Sequence, residues 1–356
     1  MVVLGADVHK KTHTILAVDQ VGRQIGQLTV RATDAGHRQL VRWALREFAA
    51  VAGASALRFA VEDCRHVSTR LERDVLAAGQ RVVRVPPKLM AGARAGARTR
   101  GKSDPIDALA IARAALREPG LPVATHDSVS REVKLLTDHR EDLVGMRTQM
   151  QNRLRWHLHE LDPELDPPAR SLDRVATLEG IAAFLGECPP DSPVLVRVAA
   201  ELVADIQALT IRVNALEREL ARRMQSIAPR LLALPGCGPL TAAKIVGETA
   251  NITRFRSEAC FAMHAGAAPI PASSGKTSRH RLARGGNRQL NAALHRIAVT
   301  QIRLNGPGRA YYHRRLALGN TTMEALRAMK RRLARIIFNL LQPGTTTNAA
   351  ALPAAA

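Results

Sequence analysis

Short apolar runs alternate with amphipathic stretches over the first third of the chain. The run Val2–Val8 predicts a buried strand, and two more apolar runs around the turn Gly22-Arg23 complete a meander. Helix, strand, helix, strand and helix follow, and this order indicates a mixed sheet with helices on its faces. The predicted strands cover 2–8, 14–19, 24–31, 57–62 and 81–85, and the predicted helices cover about 34–50, 66–78 and the stretch from 104.

From about Ser128 onwards the apolar positions recur at helical spacing. Between Leu195 and Leu220 they alternate steps of four and three residues, which is the spacing of a coiled-coil seam. An antiparallel coiled coil within one chain and a zipper between two chains both explain this pattern. Proline-rich stretches at 161–168 and 188–190 interrupt the helical region.

These changes of pattern divide the chain into parts with an α/β plus α architecture. A last amphipathic helix over 323–341 ends the folded region, and the Thr- and Ala-rich tail after it is predicted to be disordered. The parts are an α/β domain at 1–125, a helical coiled-coil segment at 126–228, a mainly helical domain at 229–342 and a tail at 343–356.

The charge of the chain predicts a polyanionic partner. Lys and Arg number 52 against 31 Asp and Glu, a net charge of +21, so nucleic acid is expected before an anionic membrane. Because only 3% of residues are aromatic, phosphate contacts rather than base stacking should dominate binding. The chain has no apolar run of membrane-spanning length, no signal-peptide pattern and no zinc-spaced cysteines. We expect a cytoplasmic, nucleoid-associated protein with reduced cysteines.

Four acidic residues lie where such a sheet would bring them together. Asp7 is on the first strand, Glu62 ends the fourth, and Asp104 and Asp107 share one face of a helix's opening turn. If the two strands are neighbours and the helix crosses them, the four carboxylates form one pocket that needs a compensating cation. Oxygen ligands favour Mg²⁺, or Mn²⁺, and two such ions about 3.5–4 Å apart support phosphoryl transfer. We therefore predict these four acids as metal ligands and catalytic residues.

A plainer explanation exists for part of this set. Asp104 and Asp107 also suit the start of a well-capped helix, where the helix dipole favours acids. Asp19 and Asp63 are rivals for the pocket. Asp19 faces a turn, however, and Asp63 should point to the sheet face opposite Glu62.

A basic segment leads into the second acidic pair. Between positions 81 and 102 the chain has seven Lys or Arg and no acid. The segment is either a solvated linker or a loop that holds phosphates, and its position beside the acids favours the loop. The predicted nucleic-acid contacts in it are Arg94, Arg98, Arg100 and Lys102.

A Pro-Gly-x-Gly turn joins two helical stretches within Leu231–Val246. Gly236 and Gly238 would let backbone N–H groups at the start of the second helix face a phosphate without reading bases. The segment resembles a helix-hairpin-helix element that binds nucleic acid. A plain helix–turn–helix corner is the alternative.

Three acidic motifs carry a family resemblance. Gly5-Ala6-Asp7-Val8, Val61-Glu62-Asp63 and Lys102–Ala108 resemble the DEDD motif of insertion-sequence transposases and Piv-like DNA invertases. The resemblance implies an RNase H-like N-terminal domain, also seen in the RuvC junction resolvase. In this chain Asp63-Cys64-Arg65 follows Glu62, where the family has small residues.

The C-terminal part resembles the second domain of the same family. Ala265–Pro269, a Ser-Gly pair and a later Gly-Asn pair follow the order of that transposase domain. The resemblance makes Ser274 the nucleophile. Ser273 is its neighbour and alternative, and Tyr311 and Tyr312 are rival nucleophiles. The basic residues around this loop, predicted to hold phosphates, are Lys276, Arg279, Arg281, Arg284 and Arg288.

The resemblance implies a transposase that works as an RNA-guided DNA recombinase. Acids of one subunit and the serine of another would form a composite site that exchanges strands through phosphoserine and junction intermediates. The implied partners are donor and target DNA, a structured guide (bridge) RNA and further copies of the chain, as a dimer that assembles to a tetramer. The alternative is a Mg²⁺-dependent Holliday-junction-type nuclease or resolvase that uses no serine nucleophile.

Overall fold

The computed structural model describes residues 1–52, 57–63, 65–95, 103–118, 120–188, 193–273, 280–281, 283 and 285–343. The chain folds into two compact units, Met1–His126 and a second that begins at Asp127. No helix within the described ranges is long and apolar enough to cross a membrane.

A mixed sheet forms the centre of the first unit. Its strands are β1 (Val2–Val8), β2 (Thr12–Val18), β3 (Gln24–Arg31), β4 (Leu57–Glu62) and β5 (Arg81–Val85). They lie in the order β3-β2-β1-β4-β5. β2 pairs antiparallel with both β1 and β3, whereas β4 pairs parallel with both β1 and β5. This is the topology of an RNase H-like fold, so the predicted fold class is confirmed.

Helices cover both faces of this sheet. They are α1 (Asp34–Ala52), α2 (Arg65–Ala77), α3 (Pro87–Ala95) and α4 (Asp104–Arg117). Leu4 and Ala6 pack towards α1 and α2, whereas Val3 packs towards α3 and α4. Successive residues of a strand point to opposite faces, so β1 is buried on both sides. We call these two sides the α1/α2 face and the α4 face.

Gly5 allows α4 to lie directly against β1. A Cβ added to Gly5 would overlap the Ala108 carbonyl oxygen and would lie 2.5 Å from the Ala112 nitrogen. Ala108 and Ala112 are themselves fully buried at this crossing. The absence of a side chain at position 5 therefore sets how closely the start of α4 approaches the end of β1.

In its described part the second unit is helical apart from one short hairpin. Its helices are α5 (Ser128–Leu161), α6 (Val175–Glu187), α7 (Pro193–Ile227), α8 (Pro229–Leu232), α9 (Pro239–Thr249), α10 (Glu258–His264), α11 (Arg288–Arg303), α12 (Pro307–Ala317) and α13 (Thr322–Leu341). The hairpin strands are β6 (Ile270–Pro271) and β7 (His280–Arg281). Of the predicted disordered tail, residues 344–356 lie outside the described residues.

The predicted coiled-coil seam is buried between two helices of one chain. Leu154 of α5 shares a cluster with Leu202 and Ile206 of α7, and Leu143 shares another with Val213. Of the two explanations of the heptad pattern, the structure thus shows the antiparallel pair within the chain. Helix α6, which the pattern did not predict, packs against one end of this pair.

The other ends of α5 and α7 belong to a second core. Val133 of α5 and Leu220 of α7 share one large cluster with Leu231, Phe261 and Leu294 from the following helices. Residues on both sides of position 228 therefore contribute to a common core. Helix α8 is only one turn long, so the predicted helix-hairpin-helix element has a very short first helix.

Candidate active site and nucleic-acid interface

The first turn of α4 presents two carboxylates. Ser103 is the N-cap residue but makes no side-chain capping bond, and Pro105 occupies the first turn. The Asp107 N–H donates to the Ser103 carbonyl at 3.0 Å, which starts the helix. Asp107 is buried, whereas the Asp104 side chain is half exposed. The positive end of the helix dipole stabilises the charge of both.

Asp7 lies at the end of β1 beneath this turn. It follows Gly5 by two residues and therefore shares the α4 face. Asp7 is only 8% exposed, and this burial raises the pKa of its carboxyl. His9 lowers the same pKa, and the charges of Asp107 and Asp104 raise it further. Three acids from two distant segments thus act on one another electrostatically.

Glu62 ends the strand next to Asp7. Ala6 of β1 pairs with Val61 of β4, so Asp7 and Glu62 occupy the next position of the register on neighbouring strands. Ala60, two residues earlier, belongs to the core of the α4 face. Glu62 is half-buried on that same face. The register therefore puts it beside Asp7.

His9 joins this group, although the sequence did not single it out. Its Nε2 lies 3.1 Å from Asp7 Oδ2 and 3.5 Å from Asp104 Oδ1. The signal that could have revealed it is the spacing Asp7-Val8-His9 across a strand end. Of these three residues, sequence reasoning took only Asp7 as a ligand.

The donor set fits a divalent cation. Ligand atoms of Asp7, His9 and Asp104 all lie within 4.8 Å of one another. Carboxylate oxygens are the ligands that Mg²⁺ and Mn²⁺ prefer. Because like charges gather here around a buried acid, a bound cation would relieve their repulsion.

The rival acids have other partners. Asp19 Oδ1 accepts hydrogen bonds from the Val21 and Arg23 N–H groups at 3.0 and 2.8 Å, so Asp19 forms the turn between β2 and β3. Burial alone would lower the pKa of Arg84, but Glu72 raises it. The charge of Asp63 raises the same pKa, so Asp63 interacts with Arg84.

The predicted phosphate loop falls mostly outside the described residues. Arg98, Arg100 and Lys102 lie there. Arg94 lies on α3, but its side chain belongs to the part that is not described. The role of these residues stays a prediction.

The turn before α9 leaves the N-terminus of this helix exposed. Gly236 has a φ of +82°, which favours glycine, and Gln301 Nε2 donates to the Pro235 carbonyl at 2.7 Å. Gly238 is the exposed N-cap residue, and a Cβ added there would meet nothing within 4 Å. The backbone N–H groups that follow Pro239 can therefore face an anion.

The segment that contains Ser274 starts and ends at paired residues. Ile270 pairs with Arg281 and Pro271 with His280, so residues 272–279 connect β6 to β7. Arg281 and Arg288, which follow this segment in the chain, are exposed. Ser274, Lys276, Arg279 and Arg284 lie outside the described residues.

Close backbone contacts fix the base of this hairpin. A Cβ added to Gly286 would overlap the backbone of Gly266, and the Asn287 N–H donates to the His264 carbonyl at 2.6 Å. Asn291 Nδ2 donates to the Gly266 carbonyl at 3.0 Å. The base is therefore tied to both α10 and α11.

A partly buried ion pair extends this support. Glu248 of α9 is 4% exposed; it accepts a hydrogen bond from Asn287 Nδ2 and pairs with Lys134 of α5. Burial alone would lower the pKa of Lys134, but Glu248 and Asp138 outweigh it and raise that pKa. Sequence reasoning missed this network because its members are far apart in the chain.

Two family profiles match the chain across these sites. Residues 4–163 match the DEDD-type transposase family of IS110 elements, and residues 228–313 match the transposase IS116/IS110/IS902 family. The first match covers the acidic site and the second covers the hairpin with Ser274. The chain belongs to the IS110 family of transposases. It is accordingly a DNA transposase, an enzyme of DNA recombination.

Relatives of this IS110-family transposase align over most of its length. The uncharacterized 44.8 kDa protein of insertion element IS116 from Streptomyces clavuligerus is 28% identical over 95% of this chain and 94% of its own. The uncharacterized 42 kDa protein of insertion element IS900 from Mycobacterium paratuberculosis is 28% identical over 78% of this chain and 82% of its own length. Among solved structures, T. thermophilus RuvC in complex with a Holliday junction substrate aligns with a TM-score of 0.25 and 16% identity over 32% of this chain and 91% of its own.

The basic charge of the transposase is concentrated at its C-terminal end. Residues 229–343 contain 19 Lys or Arg and three Asp or Glu, whereas residues 127–228 contain 13 and 17. The guanidinium groups of Arg314 and Arg332 lie 5.4 and 4.6 Å from the centre of the Tyr311 ring. Tyr311 and Tyr312 also pack against the core. A nucleic acid would meet its strongest attraction in this region.

Proposed function

We propose that this chain is the transposase of an insertion sequence and acts as an RNA-guided DNA recombinase through a phosphoserine intermediate. The observation that carries the proposal is the convergence of Asp7, Asp104 and Asp107 at one end of the sheet, with Glu62 next in register. The family matches support it because they cover these acids and also Ser274.

The four acids would hold Mg²⁺, or alternatively Mn²⁺. When bound, such ions stabilise the attacking and leaving oxygens of a phosphoryl transfer. Asp7 provides a buried carboxylate at the floor of the pocket, and Asp104 provides an exposed one at its rim. This difference in exposure suits a pocket that opens towards a phosphate.

Ser274 would be the nucleophile. Its Oγ forms a bond to phosphorus while the bond from that phosphorus to the leaving sugar oxygen breaks; the hydroxyl proton goes to solvent and the leaving oxygen takes up a proton. One phosphodiester replaces another, so the strand can be rejoined without an external energy source. The exposed Arg281 and Arg288 support this role because they can hold phosphate charge near the hairpin.

The partners would be donor and target DNA, a structured guide RNA and further copies of the chain. The C-terminal excess of Lys and Arg supports the nucleic acids. Trp156, Ile211 and Met146 on α5 and α7 are 73%, 65% and 52% exposed, which supports assembly into a dimer and then a tetramer. Such a complex would work in the cytoplasm, with the nucleoid.

Trapping of a covalent protein–DNA adduct tests the serine. We expect Ser274→Ala to abolish the adduct, strand cleavage and rejoining, and Ser273→Ala, the matched control, to keep them. Loss of the adduct in Ser273→Ala alone would move the role to that residue. An adduct retained by both variants would contradict a serine intermediate.

A second variant pair tests the acids. We expect Asp104→Asn to lose cleavage while DNA binding is largely kept, because a metal ligand has been removed. Asp34→Asn, an acid on the α1/α2 face that pairs with Arg70, serves as the control and should retain cleavage. Undiminished recombination by Asp104→Asn would indicate a nucleic-acid scaffold without catalysis.

A Mg²⁺-dependent Holliday-junction-type nuclease or resolvase is the second candidate. It is favoured by the convergence of the acids within one chain, because metal-dependent cleavage by these acids would need no serine. This candidate predicts full cleavage by Ser274→Ala, no covalent adduct and no rejoining. Sequencing of RNA that copurifies with the protein would test the RNA-guided proposal separately.

A further inference from the structure

We propose that His9 is a ligand of the divalent cation at the acidic site and gives this site a preference for Mn²⁺ over Mg²⁺. The inference rests on the proposed cation binding by Asp7 and Asp104. It changes the expected donor set from oxygen alone to oxygen and nitrogen.

The distances around His9 are those expected between ligands of one ion. Two neighbouring ligand atoms of an octahedral cation, each about 2.1 Å from it, lie about 3.0 Å apart. The His9 Nε2 lies 3.1 Å from Asp7 Oδ2 and 3.5 Å from Asp104 Oδ1. Three potential ligand atoms from two distant segments therefore face a common point.

A hydrogen bond from His9 Nε2 accounts for only one of its two contacts with carboxylates. Nε2 carries at most one proton, which can serve one carboxylate at a time. The contact to Asp104 at 3.5 Å is an ion-pair distance and not a good hydrogen bond. With the proton on Nδ1, the Nε2 lone pair instead faces both carboxylates, as it would face a metal.

The backbone holds His9 in this position. The His9 N–H donates to the Thr12 carbonyl at 3.0 Å, which closes the turn between β1 and β2. Asp7, two residues earlier, is fixed in the sheet by its pairing with Thr14. Two of the three ligands therefore come from one rigid hairpin, while Asp104 comes from α4.

A nitrogen ligand changes the expected metal preference. Mg²⁺ prefers oxygen ligands and gives up water reluctantly, whereas imidazole binds first-row transition metals more readily. His9 is 52% exposed at the rim of the pocket, so its ring can contact an ion without further desolvation. The structure thus suggests Mn²⁺ as the better probe of this site.

Pulsed electron paramagnetic resonance of the full chain loaded with Mn²⁺ alone tests the proposal directly. We expect coupling to a bound ¹⁴N in the native protein, no such coupling in His9→Ala, and retention in His159→Ala, an exposed histidine of α5. We expect the Mn²⁺ affinity of His9→Ala to fall on the order of tenfold. The Mg²⁺ affinity, measured by competition, should fall less than about threefold.

The outcomes separate this inference from the proposed function. Mn²⁺ binding that Asp104→Asn abolishes but that shows no ¹⁴N coupling would overturn the role of His9 and leave the acidic site intact. Equal losses of Mn²⁺ and Mg²⁺ affinity in His9→Ala would overturn the preference. Absence of any binding that depends on Asp7 and Asp104 would defeat both proposals. His9→Gln, which keeps a hydrogen-bonding side chain, should fold and still lose the coupling.

Discussion

The two faces of the five-stranded sheet both bury charged side chains, but they do so in opposite ways. On the α1/α2 face, Glu72 accepts hydrogen bonds from Arg84 at 2.6 Å and Ser68 at 2.7 Å. Burial alone would raise the pKa of Glu72, but these partners outweigh it and lower that pKa. On the α4 face, burial and the charges of neighbouring acids raise the pKa of Asp7 despite the opposing effect of His9. Matched charges stabilise architecture, whereas gathered like charges indicate a binding site.

The α1/α2 face carries a second matched group. His37 Nδ1 bonds Asp74 Oδ2 at 2.6 Å, and His37 Nε2 lies 3.1 Å from His13 Nε2. Both histidines are almost fully buried. Burial and the neighbouring His37 lower the pKa of His13 to about 4. These residues join β2, α1 and α2, so they belong to the architecture of the unit.

The largest predicted effect on stability is loss of the buried pair on the α1/α2 face. Glu72→Ala leaves the Arg84 charge without its partner, and we expect the free energy of unfolding to fall by about 3–5 kcal/mol. Glu47→Ala, which breaks an exposed pair with Arg46, should change it by less than about 0.5 kcal/mol. Urea denaturation measures both. Similar effects from the two variants would erase the distinction between buried and surface pairs.

Acid should destabilise the chain through His13. Its pKa is about 4 when folded and near 6.5 when unfolded, so the unfolded chain binds more protons between these values. Stability is therefore lost as the pH falls from 6.5 to 4, by about 3 kcal/mol over the whole window. Denaturation at several pH values should show this slope and should show a smaller one for His13→Gln. Identical slopes would contradict the assignment.

A side chain at position 5 should disturb the α4 face, because it crowds the crossing of α4 and β1. Gly5→Ala forces α4 away from β1, and we expect a loss of about 1–3 kcal/mol in unfolding free energy together with weaker Mn²⁺ binding. Gly180→Ala is the control, because its added methyl group meets nothing within 4 Å and alanine favours a helix. Calorimetry and Mn²⁺ titration measure the two effects. Unchanged Mn²⁺ binding in Gly5→Ala would mean that the close crossing does not position the acids.

The smallest predicted effect has the opposite sign. In metal-free protein, Asp7→Asn removes a like charge from the α4 face, and we expect stability to rise by up to about 1 kcal/mol. Added Mg²⁺ should then stabilise the native chain but not the variant, since a ligand that binds the folded state raises its stability. Thermal unfolding with and without Mg²⁺ checks this. A variant less stable than the native chain would show that Asp7 is a structural residue.

Local patterns in the sequence predicted most elements of the first unit. The strands ending at Val8, Arg31, Glu62 and Val85 end where alternating apolar residues stop. Strand β2 begins earlier than predicted, at Thr12, because its backbone pairing with β3 extends to Arg31. Pairing across strands is not visible in the residues of one strand.

Some contacts between distant residues escaped prediction. Glu248 pairs with Lys134 at a separation of 114 positions, and no local pattern marks either residue. Helix α6 lies between the proline-rich stretches that interrupt the helical pattern, and Leu178 and Ile181 bury it against α7. The heptads allowed partners within or between chains, and packing within the chain decides between them.

The uneven distribution of charge along the second unit has a consequence for how complexes form. Residues 127–228, which include α5 and α7, carry 17 Asp or Glu and 13 Lys or Arg, so this segment attracts nucleic acid far less than the basic C-terminal helices do. Its exposed apolar residues, Trp156 and Ile211 among them, therefore lie in the part of the second unit that attracts nucleic acid less strongly. We expect this segment to remain available for contact with another protein while nucleic acid occupies the basic C-terminal helices.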